Sequence, residues 1–195
     1  MVDEVILLDY WPIMFCMRVS IALAKKGLQY ESREADMWDK IPTLIHNGKP
    51  VCESLIAVQY IDEIWSAKAP LLPSDPHERA QARLWAEFVD KKIFEDSAWI
   101  WRGIDVEASK KRLIESLKVL EAELGDKACF GGNKLGLVDI ALVTFYSCIE
   151  AECSSLVAWG RRCVQENESV AKSLPDSHKI YQHVMEMRRN KFSLE

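Results

Sequence analysis

No run of eighteen apolar residues occurs in this chain of 195 residues, so no segment reads as a membrane-spanning helix. Basic residues are not in excess. Twenty-five Lys and Arg face thirty Asp and Glu, a net charge of −5, which argues against nucleic acid as the main partner. The clusters Lys25-Lys26, Lys91-Lys92, Lys110-Lys111-Arg112 and Arg188-Arg189 are short and read as solvated helix faces. Among six cysteines there is no CxxC pair and no Cys/His metal spacing, so no metal is expected. No basic n-region or cleavage site precedes the first strand pattern. The expected compartment is the cytosol, with cysteines reduced. Cys52, Cys129 and Cys148 then read as small buried hydrophobes. Repeats and low-complexity segments are also lacking. What is present is a composition 49% apolar and 28% charged. It can bury a proper core, in one domain or two small ones.

The first third alternates strand and helix patterns. Val5 to Tyr10 reads as a buried strand, Phe15 to Lys26 as a helix stopped by Gly27, and Leu28 to Arg33 as a polar-edged strand. Thr43-Leu44-Ile45 and Pro50-Val51-Cys52 flank Asn47-Gly48, which suits the positive φ angles of a tight hairpin. Leu55, Val58, Tyr60-Ile61 and Trp65 follow at helical spacing. Ser54 is placed to cap that helix. A helix start with a carboxylate and a hydroxyl, Glu53 and Ser54, is also a place to hold a small charged ligand. Ile41-Pro42 beside it is a candidate cis peptide.

From Ala67 to Pro76 three prolines mark a linker. Helical patterns follow, from about His77 to Trp101 and from about Val106 to Leu124, ending at Gly125. Leu135-Gly136-x-x-Asp139-Ile140 reads as another helix start, with Asp139 reaching back to a cap N–H. Shorter helices follow through Leu156–Cys163 and Ile180–Arg189. The order fits a thioredoxin-like α/β unit over about 1–66 and an all-α unit over about 77–195.

Several long motifs carry a resemblance. They are Glu4-Val5-Ile6-Leu7-Leu8-Asp9-Tyr10-Trp11-Pro12, Leu44-Ile45-His46-Asn47-Gly48-Lys49-Pro50, and Glu53-Ser54-Leu55-Ile56-Ala57-Val58-Gln59-Tyr60-Ile61. Leu71-Leu72-Pro73-Ser74-Asp75-Pro76, Phe130-Gly131-Gly132 and Leu135-Gly136-Leu137-Val138-Asp139 extend them. Over nearly its whole length the chain resembles the plant tau class of glutathione transferases. The resemblance implies a thioredoxin-like domain that holds glutathione as co-substrate, a helical domain lining a pocket for small hydrophobic electrophiles, and a homodimer. It matches Glu53 and Ser54 to the pair that holds the γ-glutamyl amine and carboxylate. Ile41 matches the residue whose backbone pairs with the cysteinyl unit, and Lys40 a lysine facing the glycine carboxylate. Helix capping alone remains the competing reading of Glu53-Ser54.

Three departures from the family matter. In the tau class a serine hydroxyl stabilises the glutathione thiolate just before the first helix. That position is Ile13, which has no donor. Lowering a thiol pKa by two units takes about 2.7 kcal/mol, and the helix end alone would have to supply it. Cys16 replaces a glycine one helical turn on. It is either a packing substitution or a thiol with depressed pKa. Finally, residues are missing between the second strand and Ile41-Pro42, where the family has a helix, and after Glu150-Ala151. A parallel crossover needs a dozen or more residues, so Ala35–Lys40 is expected to be extended with no room for a helix. Three functions are in play: weakened conjugation of glutathione, a non-catalytic carrier of apolar ligands, and a glutathione-dependent thiol oxidoreductase using Cys16. Phe15, Trp99, Trp101 and Trp159 are candidate lining of the electrophile pocket, although aromatics at helical spacing are more often core.

Overall fold

The computed structural model describes residues 3–35, 40–146, 153–176, 178–180, 182–183 and 185–186. Four strands come first: β1 (Val5–Asp9), β2 (Glu31–Glu34), β3 (Thr43–His46) and β4 (Lys49–Cys52), in the sheet order β2-β1-β3-β4. The apolar run of β1 makes it a central strand, with Val5, Ile6 and Leu7 buried. β2, exposed at every residue, forms a polar edge parallel to β1. β3 runs antiparallel to β1, and β4 antiparallel to β3. Asn47 and Gly48 turn the hairpin at φ 50° and 75°, the positive pair of a two-residue loop. Pro50 is tolerated because β4 is an edge strand.

Helix α1 (Met14–Lys25) buries Val19, Ile21, Ala22 and Leu23 completely. It ends in a Schellman turn. The Gly27 N–H donates to the Ala24 carbonyl at 3.0 Å and the Leu28 N–H to the Leu23 carbonyl at 3.0 Å, with Gly27 at φ 64°. After α2 (Ser54–Ile64) the linker is fastened from below. Lys26, 2% exposed, donates from Nζ to Asp62 Oδ1 at 2.6 Å and to the Trp65 and Lys68 carbonyls. Asp62 in turn accepts from the Leu71 and Leu72 N–H groups.

The geometry of the sheet corrects the expected parallel crossover. β2 and β3 flank β1 on opposite sides and run in opposite directions. Glu34 pairs with Asp9 and Thr43 with Leu8, so the chain leaves β2 and enters β3 at the same end of β1. The gap is two strand spacings, roughly 10 Å. Eight residues, 35–42, separate the two strands, and eight residues reach about 26 Å at full stretch, more than this gap requires. Among the described residues no helix stands between β2 and β3. Residues 36–39, on which the expectation for Ala35–Lys40 falls, lie outside the described residues, as does the second gap at Glu150-Ala151.

The all-helical part begins at α3 (Pro76–Phe88), where Asp75 accepts from the His77 and Glu78 N–H groups. The single helix expected to about Trp101 is interrupted in its hydrogen bonding. A π-helical segment (Val89–Phe94) joins α3 to α4 (Glu95–Arg102). The wider turn sends Val89 and Ile93 into the core, while Asp90 and Phe94 line a cleft. α5 (Val106–Leu124) buries the stripe Leu113, Leu117, Leu120 and Leu124. α6 (Leu137–Val143) is buried at all seven residues, and α7 (Ser154–Glu166) and α8 (Glu168–Ser173) pack around it and α1. The described residues from 178 to 186 are helical, and His183 reaches the Tyr10 hydroxyl at 3.0 Å.

Candidate functional site

The floor of the site is the join between hairpin and helix. Glu53 is the N-cap of α2 and sits at φ 66°, ψ 117°, a region that non-glycine residues rarely occupy. Such strain costs of order 1–3 kcal/mol and persists where the surroundings over-determine it. Ser54 does not cap the helix as expected. It is the first helical residue rather than the one before, so its hydroxyl turns inward and accepts from Arg18 Nη1 at 3.2 Å.

Arg18 is the residue the sequence reading missed. It is fully buried on α1. Nε and Nη2 fork onto the Ala141 carbonyl of α6 at 3.2 and 3.0 Å. Nη1 pairs with Asp90 Oδ1 at 2.7 Å, a charge contact rather than an aligned hydrogen bond. The rings of Phe15 and Phe145 lie 5.1 and 5.6 Å from the guanidinium. Burial pushes its pKa down and Asp90 opposes that shift. One side chain thus links α1, α2, the π segment and α6. The signal available in advance was a single arginine inside the apolar pattern of Cys16-Met17-Arg18-Val19.

Above this floor opens a cleft of about 590 Å³. Lys40, Ile41, Pro42, Glu53 and Ser54 form one side, and Arg83, Ala86, Glu87, Asp90 and Phe94 the other. Ile41-Pro42 is cis, and Thr43 Oγ1 donates to the Lys40 carbonyl, which fixes this corner. Arg83 Nε reaches across to Gln59 Oε1 at 2.7 Å. Phe15 lies between the two walls and meets Phe94 edge-on at 4.8 Å. The cleft therefore joins charged groups of both signs to an apolar end, a chemistry that suits a zwitterionic peptide beside an apolar compound.

The remaining candidates lie elsewhere. Ile13 is half-buried as the N-cap of α1, and its carbonyl accepts from the Cys16 and Met17 N–H groups. Cys16 is 1% exposed. Burial pushes its thiol up to about 12, with the Asp9 carboxylate adding to the shift. Burial and this upward shift weigh against the reactive-thiolate reading of Cys16 and favour the packing one, desolvation opposing what the helix end offers. Trp159 does not line the pocket. It is fully buried, donates from Nε1 to Asp139 Oδ1 at 2.8 Å, and packs edge-on against Phe130. Trp99 stands 38% exposed on α4, away from the cleft. Trp101 is half-buried against the core. Asp139 takes the capping role, accepting from the Gly136, Phe130 and Gly131 N–H groups as well as Trp159. Burial pushes its carboxyl upward and the four donors oppose that. Among the described residues no group of three or more His, Cys, Asp or Glu is placed to hold a metal ion. None of the described helices is long and apolar enough to cross a membrane.

Residues 3–63 match the family model for the glutathione S-transferase N-terminal domain, and residues 102–157 match that for the C-terminal domain. The chain is 54% identical to glutathione S-transferase U25 of Arabidopsis thaliana, covering 97% of each chain. It is 51% identical to the probable glutathione S-transferase parC of Nicotiana tabacum, covering 99% of each. These alignments run over 215 and 220 positions against a chain of 195, so the relatives carry residues that this chain lacks. Among solved structures, a rice glutathione transferase in complex with glutathione superposes with a TM-score of 0.89 at 36% identity, over 97% of this chain and 98% of that one. A tau-class glutathione S-transferase from mango gives 0.86 at 33%, over 93% and 97%. Its sheet, its two-walled cleft and these relatives agree: the chain belongs to the tau class of plant glutathione transferases.

Proposed function

We propose that this protein binds glutathione on the Glu53–Ser54 floor and conjugates it to small hydrophobic electrophiles, at a rate reduced by Ile13. The single observation that carries the binding half is the strained Glu53 beside Ser54, the latter held by buried Arg18, at the base of a cleft of about 590 Å³. Glu53 is exposed and aimed by its backbone, so its carboxylate is available to a ligand ammonium. Lys40 and Ile41 border the same cleft, where a peptide backbone and a terminal carboxylate would lie. Phe15 and Phe94 supply the apolar end for the electrophile. The proposed division of labour assigns glutathione to residues 1–66 and the electrophile to residues 77–195, in a homodimer working in the cytosol.

Ile13 favours a second reading, a carrier of apolar ligands without turnover, because it supplies no hydroxyl to a thiolate. Calorimetric titration with glutathione, paired with conjugation of a chromogenic electrophile, separates the two. Binding with turnover is expected. Binding without turnover selects the carrier, and no binding rejects both uses of the site. Glu53→Ala is expected to weaken glutathione at least about tenfold, since a hydrogen bond between charged groups contributes about 1.5–3 kcal/mol.

A further inference from the structure

Two cysteines outside the cleft meet where the turn before α6 packs on α7. Cys129 and Gly132 exchange backbone hydrogen bonds at 2.8 and 2.9 Å, which closes the turn. Three ties hold that turn against α7. Arg162 Nη2 donates to the Ala128 carbonyl at 3.3 Å. The Phe130 ring meets Trp159 at 5.7 Å. The Asp139 carboxylate binds the Phe130 and Gly131 N–H groups and the Trp159 indole together. Trp159 and Cys163 are four residues apart on α7 and share a face. Cys129 lies between the two turn residues tied to α7, Ala128 and Phe130, and Cys163 adjoins Arg162 and follows Trp159 by one turn, so the two thiols meet at this interface and each shifts the other's pKa. Both are free.

We propose that Cys129 and Cys163 are a peroxide-oxidised dithiol that closes to an intramolecular disulfide. Cys129 is the sulfur attacked first. It is 9% exposed, in a turn whose neighbours 125–128 and 131 are exposed, whereas Cys163 is 1% exposed. The neighbouring Cys163 thiol favours the thiolate at Cys129 and itself keeps its proton, one pKa being lowered and the other raised. The Cys129 thiolate takes one oxygen from hydrogen peroxide. The O–O bond breaks, sulfenic acid forms, and the departing hydroxide is protonated to water. The Cys163 sulfur then attacks the sulfenic sulfur. The S–S bond forms, the S–OH bond breaks, and a second water leaves with the Cys163 proton. Two thiols are oxidised by two electrons and one peroxide is reduced to two waters.

Trypsin isolates each cysteine in its own fragment, Ala128–Lys134 and Cys163–Lys172. The folded protein is treated with hydrogen peroxide, denatured, alkylated and digested. The expected product is the two fragments joined, lighter than their sum by two hydrogens and separated by dithiothreitol. In Cys163→Ser the reaction is expected to stop at the sulfenic acid, which dimedone captures on Ala128–Lys134. In Cys129→Ser the Cys163 fragment is expected to alkylate as fully after peroxide as before. The proposal is overturned if both wild-type fragments alkylate fully after peroxide, if Cys129 joins a different cysteine, or if the joined fragments form only when oxidation follows unfolding in urea. The wild-type digest decides the question by itself should either variant lose its helical circular dichroism.

Discussion

At the scale of single residues, Ile13 is the position whose side chain supplies no hydroxyl to the proposed site. Ile13 occupies the start of α1, where the tau-class resemblance places the serine that faces the glutathione sulfur. Ile13→Ser is expected to raise kcat/KM toward a chromogenic electrophile by about 10²-fold, the range found when a donor to a developing oxyanion is gained or lost. An unchanged kcat/KM with glutathione binding intact removes Ile13 as the limiting defect. Cys16 gives a pH test. Its folded-state pKa of about 12 lies above the ordinary 9.0, so the folded chain keeps a proton that the unfolded chain releases. The stability tied to that proton is complete below about pH 9 and falls as pH rises toward 12. Cys16→Ala is expected to lose less Tm than wild type between pH 8 and pH 10.5. Equal losses would mean that the thiol is not held protonated. Arginine at 18 was visible as a charge in an apolar pattern, but Ser54, Asp90, Ala141 and Phe145, its partners outside α1, come from three other parts of the chain.

Among the elements, the hairpin and the short α6 do the positioning. Asn47-Gly48 was legible because only a few residues accept two successive positive φ angles. The N-terminal cap of α6 was legible because its partner lies three residues away, at Asp139. The π segment was not legible. It adds one residue to a turn without changing the apolar spacing enough to be read, and its Asp90 and Phe94 face the cleft while Trp99 of α4 does not. The linker depends on Lys26 and Asp62, a buried ion pair with side chains 0% and 10% exposed. Breaking such a pair from one side leaves a charge without its partner and costs about 3–5 kcal/mol. Lys26→Met is therefore expected to lower the urea midpoint strongly, with an unchanged slope. A shift below about 1 kcal/mol would show that the linker is held by other contacts.

For the whole molecule, the gap between β2 and β3 is tolerable because the two strands open toward the same end of β1. The sheet has its four-strand topology with no helix between β2 and β3 among the described residues. Sedimentation velocity at micromolar concentration is expected to give a dimer of the 22.3 kDa chain. A monomer at that concentration rejects the homodimer for this protein.

Local chemistry was settled by the sequence itself: the hairpin, the cis Ile41-Pro42 corner, the cap at Asp139, and the lack of a hydroxyl at Ile13. Each depends on neighbours a few residues away, where backbone sterics and hydrogen-bond reach leave few choices. The tertiary structure decided which of several similar side chains reach the cleft. Phe15 lines it, while Trp159 is sealed beneath Asp139 and Trp99 turns outward. It also turned Ser54 from a cap into a partner of Arg18, and Cys16 from a candidate thiolate into a buried thiol. Those outcomes depend on burial and on charges brought in from distant segments, and desolvation by a packed core outweighs what a helix end offers on its own.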